Sequence, residues 1–373
     1  MKKIAILTQP LGTNFGGIVQ NYALLSFLQQ NNYNTITVNR LDNNNNSKVK
    51  RFLSNLKNNL LYNIGINKLI HKKIYEELYL FINFNNQITK KIDSDLLLAK
   101  HFAKNNYDII IVGSDQTWRP SYSPNIYNYF LDFLVNNKNI KKIAYASSFG
   151  TDQWEYNNEE TEKCSQLVQQ FDALSVREKS GVELCNNYLN VQASWVLDPT
   201  FLLTKEEYLK VANKKQISKR SGLFSYILDE NDAIENIIHI ACSQLQLNHF
   251  TNQPVWRRNN KEGIKIKDLK YPSVEGWLKA FEDADFIVTN SFHGTVFAII
   301  FNKPFLTIVN KERGGARFYS LLEEFGLKSR LIEEHEVDKI KNIIDTPIEY
   351  EIVNERLNEL KKYSSQFLLN SLL

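Results

Sequence analysis

Hydrophobic and polar positions along the chain follow a repeating order of strand, polar loop, helix and strand. The first strand is predicted at residues 3–8, and a glycine-bearing loop at 11–17 separates it from a helix over 18–30. The next strand is predicted at 34–39. These elements form a βαβ unit, which requires parallel strands joined by a right-handed crossover.

An uninterrupted apolar segment at 107–112, with the sequence YDIIIV, is typical of a parallel strand buried on both faces. The alternation continues beyond it into a second set of elements. Further strands are predicted at 142–147, 173–176, 223–228, 285–289 and 304–309, and further helices near 159–170, 205–220, 233–246, 273–283, 295–301 and 352–373. The pattern predicts an α/β protein with two Rossmann-like lobes and a cleft between them.

The predicted domain boundaries follow from this order. Residues 1–200 form the N-terminal lobe, with a basic helical insertion at about 45–104, and residues 201–350 form the C-terminal lobe. Residues 351–373 form a helix long enough to pack back on the N-terminal lobe. A chain of 373 residues with 43% hydrophobic content is large enough for two cores.

Charge and cysteine content exclude several classes of protein. A net charge of +4 is too small to predict nucleic-acid binding. Cys164, Cys185 and Cys242 are widely spaced and form no CxxC pair, so we expect buried thiols rather than disulfides or a metal site. The apolar run at the start of the chain is too short for a signal peptide, and we expect a cytoplasmic protein.

One stretch of the chain is strongly basic despite the small net charge. From Lys48 to Lys73 the chain carries seven Lys or Arg residues, no acidic residue and interleaved Leu and Ile. A solvated helical face is one interpretation. Peripheral contact with an anionic membrane surface, or with a polyanionic acceptor, is the other.

Candidate chemistry lies in the loops at the ends of predicted strands, where parallel sheets bind ligands. The loop at 9–17 includes Asn14 and precedes a helix, so its N–H groups could face an anion, although a tight turn explains it equally well. The segment at 112–119 offers Asp115 and Gln116 to sugar hydroxyls and Trp118 as an exposed stacking face. Alternatively, Ser114 or Asp115 caps a helix.

Cations follow other strands. Arg177 comes directly after an apolar strand, where its guanidinium suits a carboxylate or phosphate. His293 lies at a turn beside Gly294 and Thr295, which open a helix whose free N–H groups favour an anion. Arg313 and Arg317 follow in a glycine-rich segment. The sequence has no HxH, HExxH or acidic metal-binding pattern, so we predict a site for a small anion without a metal.

These segments together resemble the polysaccharide pyruvyltransferase family. The similar blocks are GTNFGGIVQNYAL at 12–24, GSDQTW at 113–118, SVRE at 175–178, and SFHG at 291–294 with NKPF at 302–305. They follow the family's order and extend over most of the chain. The resemblance implies a GT-B-like arrangement of lobes, phosphoenolpyruvate as co-substrate, no cofactor, and a saccharide acceptor that is free or lipid-linked.

The resemblance also implies residue roles. His293 and Asp115 are the predicted catalytic residues. The predicted donor-binding residues are Arg177, His293, Gly294, Thr295, Arg313 and Arg317, and the predicted acceptor-binding residues are Asn14, Phe15, Gln20, Ser114, Gln116 and Trp118. Some branches of the family have an arginine where this chain has Ser291, so Arg313 or Arg317 would have to replace it. A nucleotide-sugar glycosyltransferase and a non-catalytic carbohydrate-binding protein are the alternative interpretations.

Overall fold

The computed structural model describes residues 1–41, 73–254, 269–309 and 314–373, and it contains two parallel sheets. The first sheet has the order β2-β1-β3-β4-β5-β6. Its strands are β1 (Lys3–Leu7), β2 (Asn34–Thr37), β3 (Ile109–Val112), β4 (Lys141–Ser147), β5 (Ala173–Val176) and β6 (Ser194–Trp195). Every neighbouring pair is parallel, as the predicted crossovers require.

The second sheet has the order β11-β10-β9-β7-β8 and is also parallel. Its strands are β7 (Leu223–Tyr226), β8 (His249–Phe250), β9 (Phe286–Thr289), β10 (Phe305–Ile308) and β11 (Leu331–Ile332). Two parallel sheets covered by helices confirm the prediction of an α/β protein with two Rossmann-like lobes.

The helices connect successive strands or cover the sheets. They are α1 (Phe15–Gln30), α2 (Glu76–Asn85), α3 (Asp95–Lys104), α4 (Asn158–Val168), α5 (Lys179–Leu189), α6 (Lys205–Ala212), α7 (Asp232–Leu245), α8 (Val274–Asp283), α9 (Phe292–Ile300), α10 (Ala316–Glu324), α11 (Ile340–Asp345) and α12 (Tyr350–Ser371). None of the described helices is long and apolar enough to cross a membrane.

Aromatic packing joins the two lobes. Phe15, at the start of α1, stacks on Trp277 of α8 with ring centroids 5.5 Å apart, and Trp277 in turn meets Phe297 of α9 at 4.9 Å. All three side chains are almost completely buried. Burial of large aromatic rings is strongly favourable, so this contact fixes the start of α1 against the second lobe.

The C-terminal helix α12 packs on the first lobe. Ser364 accepts a hydrogen bond from the Leu197 N–H at 3.0 Å, and Phe367 lies 6.5 Å from Tyr145 between ring centroids. Near its end, the Leu372 carbonyl accepts a hydrogen bond from the Lys2 side chain at 2.6 Å. The chain therefore returns to the sheet in which it began.

Several predicted element boundaries were wrong, and helix capping explains two of them. Helix α1 begins at Phe15, earlier than predicted, because the Asn14 side chain accepts a hydrogen bond from the Gly16 N–H. Helix α9 begins at Phe292 because Ser291 caps it in the same way. The predicted helix at 205–220 extends only over Lys205–Ala212. Residues 42–72, with almost all of the basic stretch, lie outside the described residues.

Candidate active site

A cleft of about 420 Å³ lies between the lobes, where the loops after β1, β3 and β9 meet. Asn14 and Gln116 line it from the first lobe together with Asp115. Ser291, His293 and Arg317 line it from the second. The predicted strand-end segments therefore converge on one cavity, except for Arg177, which lies behind its wall.

His293 occupies the first turn of α9 rather than a preceding turn, and it is 4% exposed. Its Nε2 atom is buried and has no hydrogen-bond partner among the residues that the structure describes. The nearest acid is Asp198, whose Oδ2 lies 3.7 Å from Nε2, beyond normal hydrogen-bond distance. Nε2 is thus left with an unused hydrogen-bonding position.

Arg177 is completely buried and holds two carboxylates. Its Nη1 donates to Asp198 Oδ2 at 2.6 Å, and its Nη2 donates to Asp115 Oδ1 at 2.9 Å. The guanidinium also lies 4.7 Å from the centroid of the Phe292 ring. Sequence reasoning placed Arg177 in the ligand cleft. The structure instead buries its side chain completely, outside the cleft lining, with both carboxylates as partners. Its role in donor binding stays a prediction.

The two carboxylates partnered by Arg177 are held in their charged form. Burial by itself would raise the pKa of Asp115, but Arg177, His293 and Arg317 together lower that pKa below its usual value. Burial would also raise the pKa of Asp198. His293, Arg177 and the Thr200 N–H outweigh that effect and hold the pKa of Asp198 well below its usual range. Asp115 therefore presents an ionised carboxylate to the cleft at neutral pH.

Arg317, in the first turn of α10, lines the cleft. Burial and the neighbouring Arg177 charge lower the pKa of Arg317 to about 10, so the guanidinium is protonated at neutral pH. It lies 5.2 Å from the Phe292 ring centroid, and its Nε donates to the Gly314 carbonyl at 3.4 Å. Arg313 lies outside the described residues.

Ser291 caps the start of α9. Ser291 Oγ accepts from the Gly294 N–H at 3.3 Å, and the Ser291 carbonyl accepts from the Thr295 N–H at 3.0 Å. The Thr295 hydroxyl contacts Thr307 Oγ1 at 2.9 Å. The Gly294 and Thr295 N–H groups are therefore already hydrogen-bonded to Ser291, and their contacts with the donor stay a prediction. The N–H groups of Phe292 and His293, at the same helix start, have no hydrogen-bond partner among the described residues.

Four of the predicted acceptor contacts were wrong because their side chains are buried in internal contacts. Trp118 is 0% exposed, packs on Phe130 at 5.1 Å and donates its Nε1–H to the Tyr129 carbonyl. The Ser114 hydroxyl donates to the Ala146 carbonyl at 2.7 Å. Gln20 is 0% exposed, and Phe15 belongs to the packing between the lobes.

Asn14 and Gln116 do reach the cleft, but both have internal partners. Asn14 Oδ1 accepts from the Gly16 N–H at 3.1 Å, and Gln116 Oε1 accepts from Arg119 Nη1 at 3.1 Å. The Asn14 Nδ2 and Gln116 Nε2 atoms remain the donors that each residue can offer to a ligand.

Sequence reasoning missed two residues of this site. Tyr122 lines the cleft with 38% of its surface exposed, and Arg119 lies against its ring at 4.7 Å. Arg119 is itself fixed by Glu155, which accepts from Nε at 2.9 Å and from Nη2 at 2.8 Å. Prolines at positions 120 and 124 flank Tyr122, and this sequence pattern indicates a rigid exposed loop. Asp198, next to Pro199, was the other residue missed.

The fold is that of GT-B enzymes, as solved structures show. The Neisseria meningitidis UDP-GlcNAc 2-epimerase bound to UDP-GlcNAc is similar with a TM-score of 0.52 and 13% identity, covering 100% of this chain and 99% of that one. Arabidopsis thaliana UGT89C1 with UDP-L-rhamnose has a TM-score of 0.52 and 9% identity over 100% and 99%. The Candida albicans trehalose-6-phosphate phosphatase N-terminal domain has a TM-score of 0.53 and 11% identity over 100% and 97%.

These likenesses establish a two-lobed GT-B-like fold and no particular activity. Among curated protein sequences, none matches this chain. The model of the polysaccharide pyruvyl transferase family matches residues 14–312. The chain belongs to that family, which confirms the resemblance and identifies the protein as an enzyme of pyruvyl transfer to polysaccharide.

Proposed function

We propose that this enzyme transfers the pyruvyl group of phosphoenolpyruvate to two hydroxyls of a saccharide, forming a cyclic ketal. The observation that carries the proposal is the convergence of His293, Arg317 and ionised Asp115 on one cleft between the lobes. This set supplies a proton carrier, a cation for the donor and an acceptor for a sugar hydroxyl.

Donor binding is proposed at the second-lobe wall. Phosphoenolpyruvate carries a carboxylate and a phosphate, and the positive charge of Arg317 at the cleft wall attracts either group. The N–H groups of Phe292 and His293, at the positive end of the α9 dipole, complete the anion site. Arg317 thereby takes the place of the family arginine that is absent at Ser291.

The proposed chemistry moves two protons. One acceptor hydroxyl adds to C2 of the donor as the donor methylene takes a proton and becomes a methyl group. Phosphate then leaves, and the second hydroxyl adds to C2 to close the ketal, its proton leaving with the phosphate. His293 is the proposed carrier of the first proton, from the hydroxyl to the methylene carbon.

Asp115 and Tyr122 are proposed for the acceptor. Because the pKa of Asp115 lies below its usual value, the carboxylate is charged and orients a sugar hydroxyl rather than protonating the donor. Tyr122 offers an exposed ring backed by Arg119, a suitable platform for a pyranose. It replaces Trp118 in the role of stacking residue.

We also propose that the enzyme acts in the cytoplasm, on an acceptor that is free or lipid-linked and without a cofactor. The three cysteines are free, as expected in a reducing compartment. The proposal of membrane contact through residues 48–73 concerns a segment outside the described residues, apart from Lys73.

The test is phosphate release from phosphoenolpyruvate in the presence of candidate saccharides, with the ketal methyl group detected in the product by NMR. We expect release that depends on the acceptor and is lost in His293→Gln. Thermal shift with UDP- and GDP-sugars serves as the comparison. Stabilisation by those nucleotides, with none by phosphoenolpyruvate, would overturn the proposal in favour of a glycosyltransferase.

A further inference from the structure

The buried carboxylate of Asp198 lies behind His293 and does not reach the cleft. It is 2% exposed, and each oxygen has defined partners. Oδ1 accepts from the Thr200 N–H at 3.0 Å and from the Thr200 hydroxyl at 2.7 Å. Oδ2 accepts from Arg177 Nη1 at 2.6 Å and faces His293 Nε2 at 3.7 Å. Ser114 Oγ lies 3.4 Å from Oδ2, with its proton donated to the Ala146 carbonyl.

The two nitrogens of His293 have different surroundings. Nε2 is buried and faces Asp198 without a hydrogen-bond partner among the described residues. Nδ1, which Cε1 separates from Nε2, lies against Gly16 at the start of α1. A neutral imidazole carries one N–H, and an ionised carboxylate only accepts hydrogen bonds. Asp198 therefore favours the tautomer with the proton on Nε2. The lone pair is then on Nδ1, beside Gly16, whose neighbour Gly17 lines the cleft together with His293.

We propose that Asp198 is a positioning residue that fixes the Nε2–H tautomer of His293, so that Nδ1 exchanges the proton of the transfer reaction. The inference rests on the proposed function, in which His293 carries that proton. A small rotation of the imidazole brings Nε2 within hydrogen-bond distance of Oδ2, and catalytic hydrogen bonds commonly shorten when substrate binds. Thr200 and Arg177 hold the carboxylate still while the ring moves.

The Arg177 network supplies a matched control for this idea. Asp115 and Asp198 each accept one hydrogen bond from Arg177, so either substitution by Asn removes one carboxylate from the same buried guanidinium. Only Asp198 faces Nε2 of His293. An effect that both substitutions share reflects disturbance of Arg177, and an effect confined to Asp198 reflects the contact with the histidine.

The experiment reads the tautomer directly by long-range ¹H–¹⁵N NMR of protein labelled in its six histidines. The His293→Gln variant assigns the His293 signals. We expect the Nε2–H pattern in the wild-type protein and in Asp115→Asn. In Asp198→Asn we expect a mixture of tautomers, together with a kcat about 100-fold lower at a nearly unchanged KM for phosphoenolpyruvate.

A second variant covers the case in which Asp198→Asn does not fold. Thr200→Val removes the hydroxyl that donates to Oδ1 but keeps the Asp198 charge, and we expect a kcat lower by roughly 5-fold with a partial change of tautomer. An unchanged tautomer in both variants, or an equal change in Asp115→Asn, would overturn the inference. The NMR measurement needs no turnover, so it tests the inference about Asp198 separately from the proposed function. Failure of the proposed function would show instead as a wild-type protein that does not release phosphate from phosphoenolpyruvate.

Discussion

Gly16 of the first lobe lies directly against the imidazole of His293 in the second. A Cβ atom at Gly16 would stand 2.1 Å from His293 Nδ1, far inside van der Waals contact. The glycine therefore lets α1 approach the histidine across the boundary between the lobes. The position of the proton carrier depends on a backbone atom far away in sequence.

The first prediction concerns this contact. Gly16→Ala forces the imidazole aside, and we expect kcat to fall about 100-fold, since displacements of about 1 Å have that effect on catalysis. Gly17→Ala is the matched control, because its Cβ would meet Asp115 Oδ2 at an ordinary 3.5 Å. Steady-state phosphate release checks both variants. Equal losses would show that the helix start, rather than contact with His293, is at fault.

The second prediction concerns the donor. Arg317→Gln removes the cation from the cleft wall, and we expect KM for phosphoenolpyruvate to rise about 10- to 100-fold, the value of a charge-assisted hydrogen bond. Arg356→Gln is the control, because Arg356 pairs with Glu324 at the opposite end of α10 from Arg317. Initial-rate kinetics with varied donor measure the effect. A KM unchanged in Arg317→Gln would contradict the assigned role.

The third prediction concerns stability. Arg177→Met leaves Asp115 and Asp198 buried without their cation, and we expect the free energy of unfolding to fall by about 3–5 kcal/mol. The exposed pair of Lys328 and Glu323 gives the control, since Lys328→Met should cost less than about 1 kcal/mol. Urea unfolding at neutral pH provides the measurement. Similar losses in the two variants would refute the buried network.

The same network predicts how acid affects the wild-type protein. Asp115 and Asp198 have pKa values below the unfolded value of 3.8, so the unfolded chain binds these protons more readily. Their stabilisation is complete above pH 3.8 and is lost as the pH falls through their lower folded values.

The fourth prediction separates the two aromatic residues near the cleft. Tyr122→Ala removes the exposed ring, and we expect KM for the saccharide to rise roughly 5- to 10-fold without loss of stability, whereas Tyr122→Phe keeps the platform. Trp118→Ala should instead lower the free energy of unfolding by about 3–5 kcal/mol, because the indole is buried. Acceptor kinetics and thermal unfolding distinguish them. If instead Trp118→Ala raised KM for the saccharide and Tyr122→Ala lowered the free energy of unfolding, Trp118 would be the stacking residue.

The fifth prediction concerns Glu178, which is completely buried and accepts hydrogen bonds from the Phe149 and Gly150 N–H groups. Burial raises the pKa of Glu178 more than the Arg177 charge lowers it. The folded protein therefore keeps Glu178 protonated at pH values just above 4.5, where the unfolded chain has already released this proton. The protein loses stability as the pH rises from 4.5 through the higher pKa of the folded state.

Glu178→Gln keeps an oxygen acceptor for both N–H groups and removes the titrating group. We expect this variant to be at least as stable as the wild type at pH 8, and the difference to become smaller at pH 5. Urea unfolding at the two pH values tests the expectation. The expectation would be contradicted if the stability of the variant, measured against that of the wild type, were lower at pH 8 than at pH 5.

Much of the fold was accessible from the sequence because it follows from local periodicity. The apolar run that forms β3 and the short strand Ala173–Val176 were predicted from their residue pattern, and the alternation of strands and helices gave parallel sheets. Element starts were less accessible. The caps formed by Asn14 and Ser291 move two helix starts toward the cleft, and those hydrogen bonds depend on backbone geometry.

The sequence by itself determined the two-lobed α/β class, the family, and the strand ends at which His293, Asp115 and Arg317 meet, because these depend on patterns and motifs along the chain. Only the tertiary structure decided which side chains face the cleft. Arg177 and Trp118 lie at strand ends as predicted, yet both are buried, and Asp198 and Tyr122 entered the site without a motif. Burial and charge pairing depend on contacts between distant segments, which no local pattern encodes.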